Sequence, residues 1–160
     1  MVEEVCDGGY VVTVREFTVA GEPRPKKRPK VFHGRGVNPK ENVVNERAIR
    51  DAYIAAFPDA PRFTGNVQVL MMFYLGDFRR VDVDNLAKLV QDALNGVAFV
   101  DDSQITRLVA GKVHPSRMVP GVRGRLRKRR PGDVLTRPSN GEPYDPHTEV
   151  VLISDDGEEG

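Results

Sequence analysis

Five aspartates lie within one short stretch of this chain, and carboxylates grouped in this way can support chemistry on a phosphate ester. The stretch is segment 79–104, and its aspartates are Asp82, Asp84, Asp92, Asp101 and Asp102. Mg²⁺ requires hard oxygen ligands of this kind and completes its octahedron with waters and substrate phosphate. A bound metal reverses the negative local field and can activate a water. The cluster therefore favours metal-dependent chemistry on a phosphate.

A helix is predicted to present part of this cluster. Apolar residues at the spacing i, i+3, i+4, i+7 and i+8 predict a helix from Asp84 to Asn95, with Gly96 as its stop. The apolar residues are Leu86, Leu89, Val90, Ala93 and Leu94. Asp84, Lys88 and Asp92 recur every four residues and share the opposite, polar face. Lys88 could therefore place a positive donor on a phosphate oxygen or on the attacking water.

The sequence leaves two questions about these aspartates open. A helix of about 12 residues spans ~18 Å, so the following strand could return Asp102 to the helix start or leave it at the far end. The aspartates are also compatible with structural roles. Asp84 could cap the helix while Asp82 adds favourable dipole charge. Lys88 could belong to an ordinary surface ladder, and Asp101-Asp102 could form a turn.

The elements that must position the cluster can be predicted from periodicity. Four strands are predicted, over Tyr10–Ala20, Gly65–Leu75, Gln104–Val113 and Thr148–Ser154. A first helix should begin at Asn38-Pro39 and end near Phe57, before Pro58. The order β-α-β-α-β-β predicts one small α+β domain over residues 1–160, with a mixed four-stranded sheet and two main helices. Residues 155–160 form a predicted acidic tail.

Charge is strongly segregated along the chain, although the net charge is only +1. The windows 24–40 and 103–130 contain 16 of the 24 lysines and arginines and no acid. Two separate basic windows indicate surfaces that face a polyanion. The first window overlaps a stiff, proline-rich entry loop, residues 21–29. Its candidate DNA contacts are Arg24, Lys26, Lys27, Arg28 and Lys30, and Arg79 and Arg80 stand just before the aspartates.

Composition excludes several other classes of protein. Hydrophobic residues make up 39% of the chain and charged residues 29%, a globular balance. No apolar run approaches the ~20 residues that span a bilayer, so no membrane partner is expected. A lone cysteine, Cys6, excludes an internal disulfide framework and a cysteine zinc site. The acidic start of the chain is unlike a secretory signal, so a cytoplasmic location is expected.

The segment around the aspartates resembles the RusA family of Holliday junction resolvases. The shared pattern is R-x-D-x-D-N-x-x-K-x-x-x-D-x-L-x-G followed by D-D-x-Q, and the basic entry loop also matches. The resemblance covers roughly residues 12–113. It implies a homodimer that cuts four-way DNA junctions by paired, symmetric nicks in recombination and repair. It also implies a divalent metal, Mg²⁺ with Mn²⁺ as a substitute, no nucleotide cofactor, and a phage or prophage origin, which would place the enzyme in a bacterial host.

The resemblance also assigns roles to individual residues. The family's catalytic and metal-binding aspartates fall on Asp82, Asp84 and Asp102, and its essential lysine falls on Lys88. Supporting roles are expected for three further positions of the pattern, which are Asn85, Asp92 and Asp101.

The chain departs from the family pattern between its last two predicted strands. Family members have a shorter connection there, whereas this chain has a basic insertion loop at residues 114–146 with six prolines. Its candidate DNA contacts are Arg123, Arg125, Arg127, Lys128, Arg129 and Arg130. We interpret the insertion as an additional DNA arm that becomes ordered on binding.

Two other functions remain compatible with the sequence. The insertion could broaden the preference of the same site toward flaps or forks, which would make the protein a general nuclease of branched DNA. The chain could also be a non-catalytic DNA-binding protein whose aspartates only cap and pair. Metal-dependent cleavage distinguishes the enzymes from the binder.

Overall fold

The fold is an α+β domain built on one five-stranded sheet. The computed structural model describes residues 2–6 and 10–154. The elements are β1 (Val2–Cys6), β2 (Tyr10–Ala20), β3 (Lys30–Phe32), β4 (Arg35–Val37), α1 (Lys40–Ala56), β5 (Val67–Tyr74), α2 (Val83–Leu94), β6 (Ile105–Val113), β7 (Met118–Pro120), β8 (Leu126–Lys128) and β9 (His147–Ser154). The main sheet has the order β1-β2-β9-β5-β6. Among the described residues, no helix is both long and apolar enough to cross a membrane.

The predicted fold class is confirmed, with one additional strand. The mixed sheet contains all four predicted strands and packs against the two predicted helices. The fifth strand, β1, pairs antiparallel with β2 at the edge of the sheet. Its sequence, VEEVC, is too short and too acidic in its middle to show a clear strand pattern. The predicted acidic tail, residues 155–160, lies outside the described residues.

The core lies between the sheet and the two helices. The predicted apolar stripe of α2 is buried throughout, from Leu86 to Leu94. Along β9 buried side chains alternate with half-buried ones, as expected for a strand with one face against the core. Phe73 of β5 and Leu152 of β9 are completely or almost completely buried in this layer. The burial of these apolar faces holds α2 in a fixed orientation, so its polar face points away from the core.

The first helix begins slightly later than its sequence predicts. Asn38 was expected to cap α1, but the helix starts at Lys40, and Pro39 occupies the cap position without a side-chain hydrogen bond. The Asn38 side chain instead accepts a hydrogen bond from the Asn42 amide at 2.8 Å. The Asn38 side chain therefore bonds to a side chain in the first turn of α1 instead of capping a backbone amide.

One crossover positions the aspartates. Strands β5 and β6 are parallel neighbours, and the chain between them contains α2. Asp82 and Asp84 therefore follow the carboxyl end of β5, whereas Asp102 precedes the start of β6. Parallel strands begin at the same edge of the sheet. The start of α2 therefore follows the edge where β5 ends, whereas the start of β6 lies at the opposite edge, where β5 begins.

The basic insertion contains regular structure where the sequence predicts a long loop. Strands β7 and β8 form an antiparallel hairpin in which Met118 pairs with Lys128. Val119 is buried, and the Tyr144 hydroxyl donates a hydrogen bond to the Leu75 carbonyl at 2.6 Å. Strands of three residues are too short to show periodicity, and their anchors come from distant parts of the chain. The hairpin is therefore decided by tertiary contacts.

Candidate active site

Asp82 and Asp84 stand free at the start of α2. The Asp82 carbonyl accepts the first helical hydrogen bond, from the Leu86 amide at 3.2 Å, so Asp82 is the cap residue by position. Its carboxylate makes no capping hydrogen bond, and its nearest polar partner is the Asn85 amide at 3.4 Å. Asp84 is exposed and forms no hydrogen bond or ion pair within the described ranges. Neither carboxylate is therefore consumed in stabilising the helix.

Asp102 meets α2 partway along its polar face. The Lys88 ammonium lies 3.1 Å from Asp92 Oδ1 and 3.9 Å from Asp102 Oδ2. Asp102 therefore lies neither at the start of α2 nor at its far end, the two positions that the sequence left open. The fold places this carboxylate beside Lys88, one turn beyond Asp84, because α2 runs back along the sheet toward the start of β6.

The two neighbouring aspartates of the Asp101-Asp102 pair have different environments. Asp101 accepts a hydrogen bond from the Ser103 amide at 3.1 Å, and its own amide donates to Gln104 Oε1 at 2.8 Å. Hydrogen bonds from Ser103 hold the pKa of Asp101 below its ordinary value. Gln104 then donates to the Phe63 carbonyl at 2.9 Å, which fastens the turn to the rest of the fold. Asp101 thus shapes the turn that presents Asp102.

The donor set at the helix start matches Mg²⁺ in its chemistry. Magnesium is commonly bound through one or two carboxylates, with waters and substrate phosphates as the other ligands. Asp82 and Asp84 offer two such carboxylates, both exposed and neither in an ion pair with the residues that the structure describes. Within the described part of the chain, no three acidic, histidine or cysteine side chains are close enough together to hold a metal ion. The structure therefore does not gather the three predicted ligands into one cluster, and Asp102 lies with Lys88.

A cation that the sequence analysis missed stands next to the helix start. The Lys112 ammonium donates a hydrogen bond to the Val81 carbonyl at 2.6 Å, one residue before Asp82. Lys112 reaches this position because β6 pairs with β5 in the register that sets Lys112 opposite Phe73. No local signal could have revealed it, since thirty residues of chain separate Lys112 from Asp82.

The basic entry loop is fastened between the two helices. Asn42 of α1 is completely buried, and its side chain accepts from the Lys27 amide at 2.9 Å and donates to the Lys27 carbonyl at 2.8 Å. The Lys26 amide donates to the Asn85 carbonyl on α2 at 2.9 Å. These bonds hold the entry loop beside the start of α2, where Asp82 and Asp84 lie.

We expect Asn42→Ala to destabilise the protein by about 1–3 kcal/mol, because it removes both side-chain hydrogen bonds to the Lys27 backbone from a fully buried position. Thermal or urea unfolding would measure the loss. Asn45→Ala is the matched control: Asn45 lies on the same helix, is only half-buried, and should cost much less. Equal stabilities for the two variants would contradict the assigned anchoring role of Asn42.

The structure divides the thirteen predicted DNA contacts into two groups. Eight side chains are exposed and form no hydrogen bond or ion pair with the residues that the structure describes; they are Arg24, Arg28, Lys30, Arg80, Arg123, Arg125, Lys128 and Arg130. The other five are bound to the protein itself, and they are Lys26, Lys27, Arg79, Arg127 and Arg129. The side chains of the first group are available to bind a polyanion. Those of the second group stabilise the loops that carry the first group.

Two arginines of the second group hold the hairpin together. Arg127 makes two 2.8 Å hydrogen bonds to the Asp133 carboxylate and holds the pKa of that group well below its usual range. Arg129 donates to the carbonyls of Val134 at 2.5 Å and Ser116 at 2.6 Å. The insertion thus uses part of its positive charge for internal structure.

Arg79 is likewise held inside the protein. Its guanidinium donates to Glu22 at 2.7 Å and to the Pro23 carbonyl at 2.8 Å. The neighbouring Arg80 is exposed. Of the two arginines that precede Asp82, one therefore fastens the entry loop and the other faces solvent.

Exposed carboxylates and exposed cations at the start of α2 suit metal-dependent chemistry on a polyanion. The family model for the endodeoxyribonuclease RusA matches residues 20–126. This chain belongs to the RusA family. The matched range contains the entry loop, both helices and all five aspartates, and it ends inside the β7–β8 hairpin. The family assignment confirms the resemblance found in the sequence and makes the chain an endonuclease that resolves Holliday junctions. No curated protein matches the chain.

Proposed function

We propose that this chain resolves four-way junctions by Mg²⁺-dependent paired, symmetric nicks made by a homodimer in the cytoplasm, with Asp82 and Asp84 as the metal-binding pair. The observation that carries this proposal is the free carboxylate pair at the start of α2. When bound there, Mg²⁺ would supply an activated water and offset negative charge on the reacting phosphate. Mn²⁺ has the same preference for oxygen ligands and is expected to substitute.

The chain's own residues complete the chemistry around that pair. Lys88 is about half exposed and can donate to a nonbridging phosphate oxygen, where negative charge develops during the reaction. Arg80 is exposed two residues before Asp82 and can hold a neighbouring backbone phosphate. Contacts of this kind position the DNA without reading its sequence.

The proposed dimer follows from the symmetry of the substrate. A four-way junction has approximate two-fold symmetry, and two copies of the chain related by a two-fold axis would present two equivalent sites to strands of like polarity. Sedimentation analysis should give a mass near twice the 17.8 kDa of the chain. A protein that remains monomeric at the concentrations where it cuts would contradict this part of the proposal.

A side-by-side cleavage assay tests the proposed reaction. An immobile four-way junction, a flap and a linear duplex are incubated with the protein in Mg²⁺ or in EDTA. Paired symmetric nicks in the junction alone, absent in EDTA, are the expected result. Cleavage in EDTA would overturn the assignment of a metal-dependent reaction. Binding of the junction with no cleavage under any condition would identify a non-catalytic DNA-binding protein.

A second candidate, a broader nuclease of branched DNA, is favoured by the hairpin. The family match ends at residue 126, so Lys128 and Arg130 lie beyond it; with Arg123 and Arg125 they make four exposed cations that pair with none of the described residues. Additional contacts to backbone phosphates recognise charge and shape, which flaps and forks also offer. Comparable cleavage of the flap in the same assay would support this broader specificity.

We expect the unpaired cations of the hairpin to contribute to the salt dependence of junction binding. Replacing Arg123, Arg125, Lys128 and Arg130 by glutamine should weaken binding and reduce the slope of log K against log salt by about 0.9 for each phosphate that is no longer neutralised. Titrations at several salt concentrations measure this slope. Arg47→Gln on α1 removes an exposed cation outside both basic windows and serves as the control. A slope unchanged in the fourfold variant would show that the hairpin does not contact DNA.

A further inference from the structure

The side chain of Lys26 points into the groove between the two helices. Its ammonium lies 2.5 Å from Glu46 Oε1 on α1 and 2.8 Å from Asp92 Oδ2 on α2. The side chain is 21% exposed, and its two carboxylate partners are 15% and 22% exposed. The backbone amide of Lys26, bonded to Asn85, fixes the direction of entry. This lysine therefore faces the protein, unlike the exposed cations of the same loop.

The carboxylate of Asp92 connects Lys26 to the proposed active site. Lys26 occupies its Oδ2 atom and Lys88 its Oδ1 atom, at 2.8 Å and 3.1 Å. Lys88 is in turn 3.9 Å from Asp102. These ion pairs form one continuous series in which negative and positive side chains alternate. The series consists of Glu46, Lys26, Asp92, Lys88 and Asp102.

We propose that Lys26 is a positioning residue for the reaction, which acts through Asp92 to hold Lys88 on the exposed face of α2. This inference rests on the proposed function, in which Lys88 contacts the reacting phosphate. Without Lys26, the carboxylates of Glu46 and Asp92 would face each other in a partly buried groove with no cation between them. Their combined charge would then draw the flexible stem of Lys88 inward, away from Asp102 and the DNA.

The protonation of Lys26 is consistent with this role. Burial by itself lowers the pKa of Lys26, but the hydrogen bonds to Asp92 and Glu46 outweigh burial and raise the pKa above the ordinary lysine value. The ammonium therefore keeps its charge at the pH values where the enzyme would work. A permanent charge is what a fixed positioning contact requires.

The test separates positioning from DNA contact by measuring binding and cleavage independently. Junction affinity and its salt dependence are measured in EDTA, and the single-turnover rate is measured at saturating enzyme in Mg²⁺. Lys26→Met, which retains an unbranched apolar stem, should lower the saturated rate by about 10- to 100-fold. Affinity and salt slope should stay within about twofold, since the same phosphates remain neutralised. Arg47→Met removes an exposed cation of α1 that lies outside both basic windows, and it should change neither measurement.

Two rescue variants distinguish positioning from a general loss of structure. Lys26→Arg should recover most of the rate, because a guanidinium can bridge both carboxylates. Adding Glu46→Gln to Lys26→Met removes the excess negative charge and should also recover part of the rate. Failure of both rescues would overturn the proposal, and melting temperatures of all variants show whether each is folded.

Other outcomes contradict the inference without touching the proposed function. If Lys26→Met raises Kd and lowers the salt slope by about one while the saturated rate is unchanged, Lys26 is a DNA contact. Wild-type protein that makes no metal-dependent cut contradicts the proposed function instead. In that case the ¹⁵N NMR signal of the Lys88 ammonium still decides the inference, since it should move in Lys26→Met and return in Lys26→Arg. A Lys88 signal that does not move in Lys26→Met would show that Lys26 does not act on Lys88, and it would overturn the proposal.

Discussion

Asp82→Asn is expected to reduce the rate of junction cleavage by at least about 100-fold while junction binding is retained or becomes tighter. The Asp82 carboxylate makes no capping hydrogen bond, and the hydrogen bond that it accepts from the Asn85 amide at 3.4 Å can also be accepted by the side-chain oxygen of asparagine. An asparagine keeps the size of the side chain and its compatibility with the cap position. The loss of one negative charge removes a metal ligand and also removes a repulsion toward DNA phosphates.

The experiment compares wild type, Asp82→Asn and Asp51→Asn in single-turnover cleavage and in gel-shift binding. Asp51 lies exposed on α1, away from the carboxylate pair in sequence and on the other helix, and its substitution should leave both measurements unchanged. If Asp82→Asn cleaves as fast as wild type, the carboxylate pair at the start of α2 is not the catalytic site. Loss of binding together with cleavage would instead indicate that the substitution has damaged the DNA-binding surface.

Lys88→Met should lower the saturated cleavage rate by about 100-fold with little change in affinity. In the proposed reaction its ammonium stabilises charge that develops only in the transition state, and the loss of one such donor costs about 10²–10³ in rate. The side chain is 52% exposed and extends between Asp92 and Asp102, so its removal creates no cavity in the core. The surface pairs that it forms contribute little to stability.

Gln91→Met is a suitable control for Lys88→Met, because Gln91 lies on the same helix and its side-chain amide donates to the Ala87 carbonyl one turn earlier. Rates at saturating enzyme and Kd values from titration separate the two effects. An increase in Kd with an unchanged saturated rate would show that Lys88 binds the DNA ground state and is not part of the chemistry.

The sequence determined the elements around the site because their signals are local. The apolar stripe of α2 repeats with the helical period, and its predicted range differs from Val83–Leu94 by only one residue at each end. The same period places Asp84, Lys88 and Asp92 on the polar face, where the structure finds them. The family pattern is likewise carried by residue types at short spacings, and the match to residues 20–126 confirms it.

Tertiary structure decided which charges are free and which are bound. Lys26, Arg79, Arg127 and Arg129 look like DNA contacts in the sequence, but each is held by acceptors that the fold brings to it. Sequence composition reports the type of a side chain and not its partner. A carboxylate twenty or sixty residues away can therefore convert an apparent DNA contact into an internal anchor, and this depends on how the helices and loops pack.

The same limit applies to the placement of the aspartates. The sequence determined that Asp82 and Asp84 lie together, since only Val83 separates them, but it left Asp102 at either end of the helix. The parallel pairing of β5 and β6 settled that position, beside Lys88, and it also brought Lys112 next to Val81. Helical periodicity is set within a few residues by backbone geometry, whereas strand register is set by the burial of whole faces and is visible only when the sheet has formed.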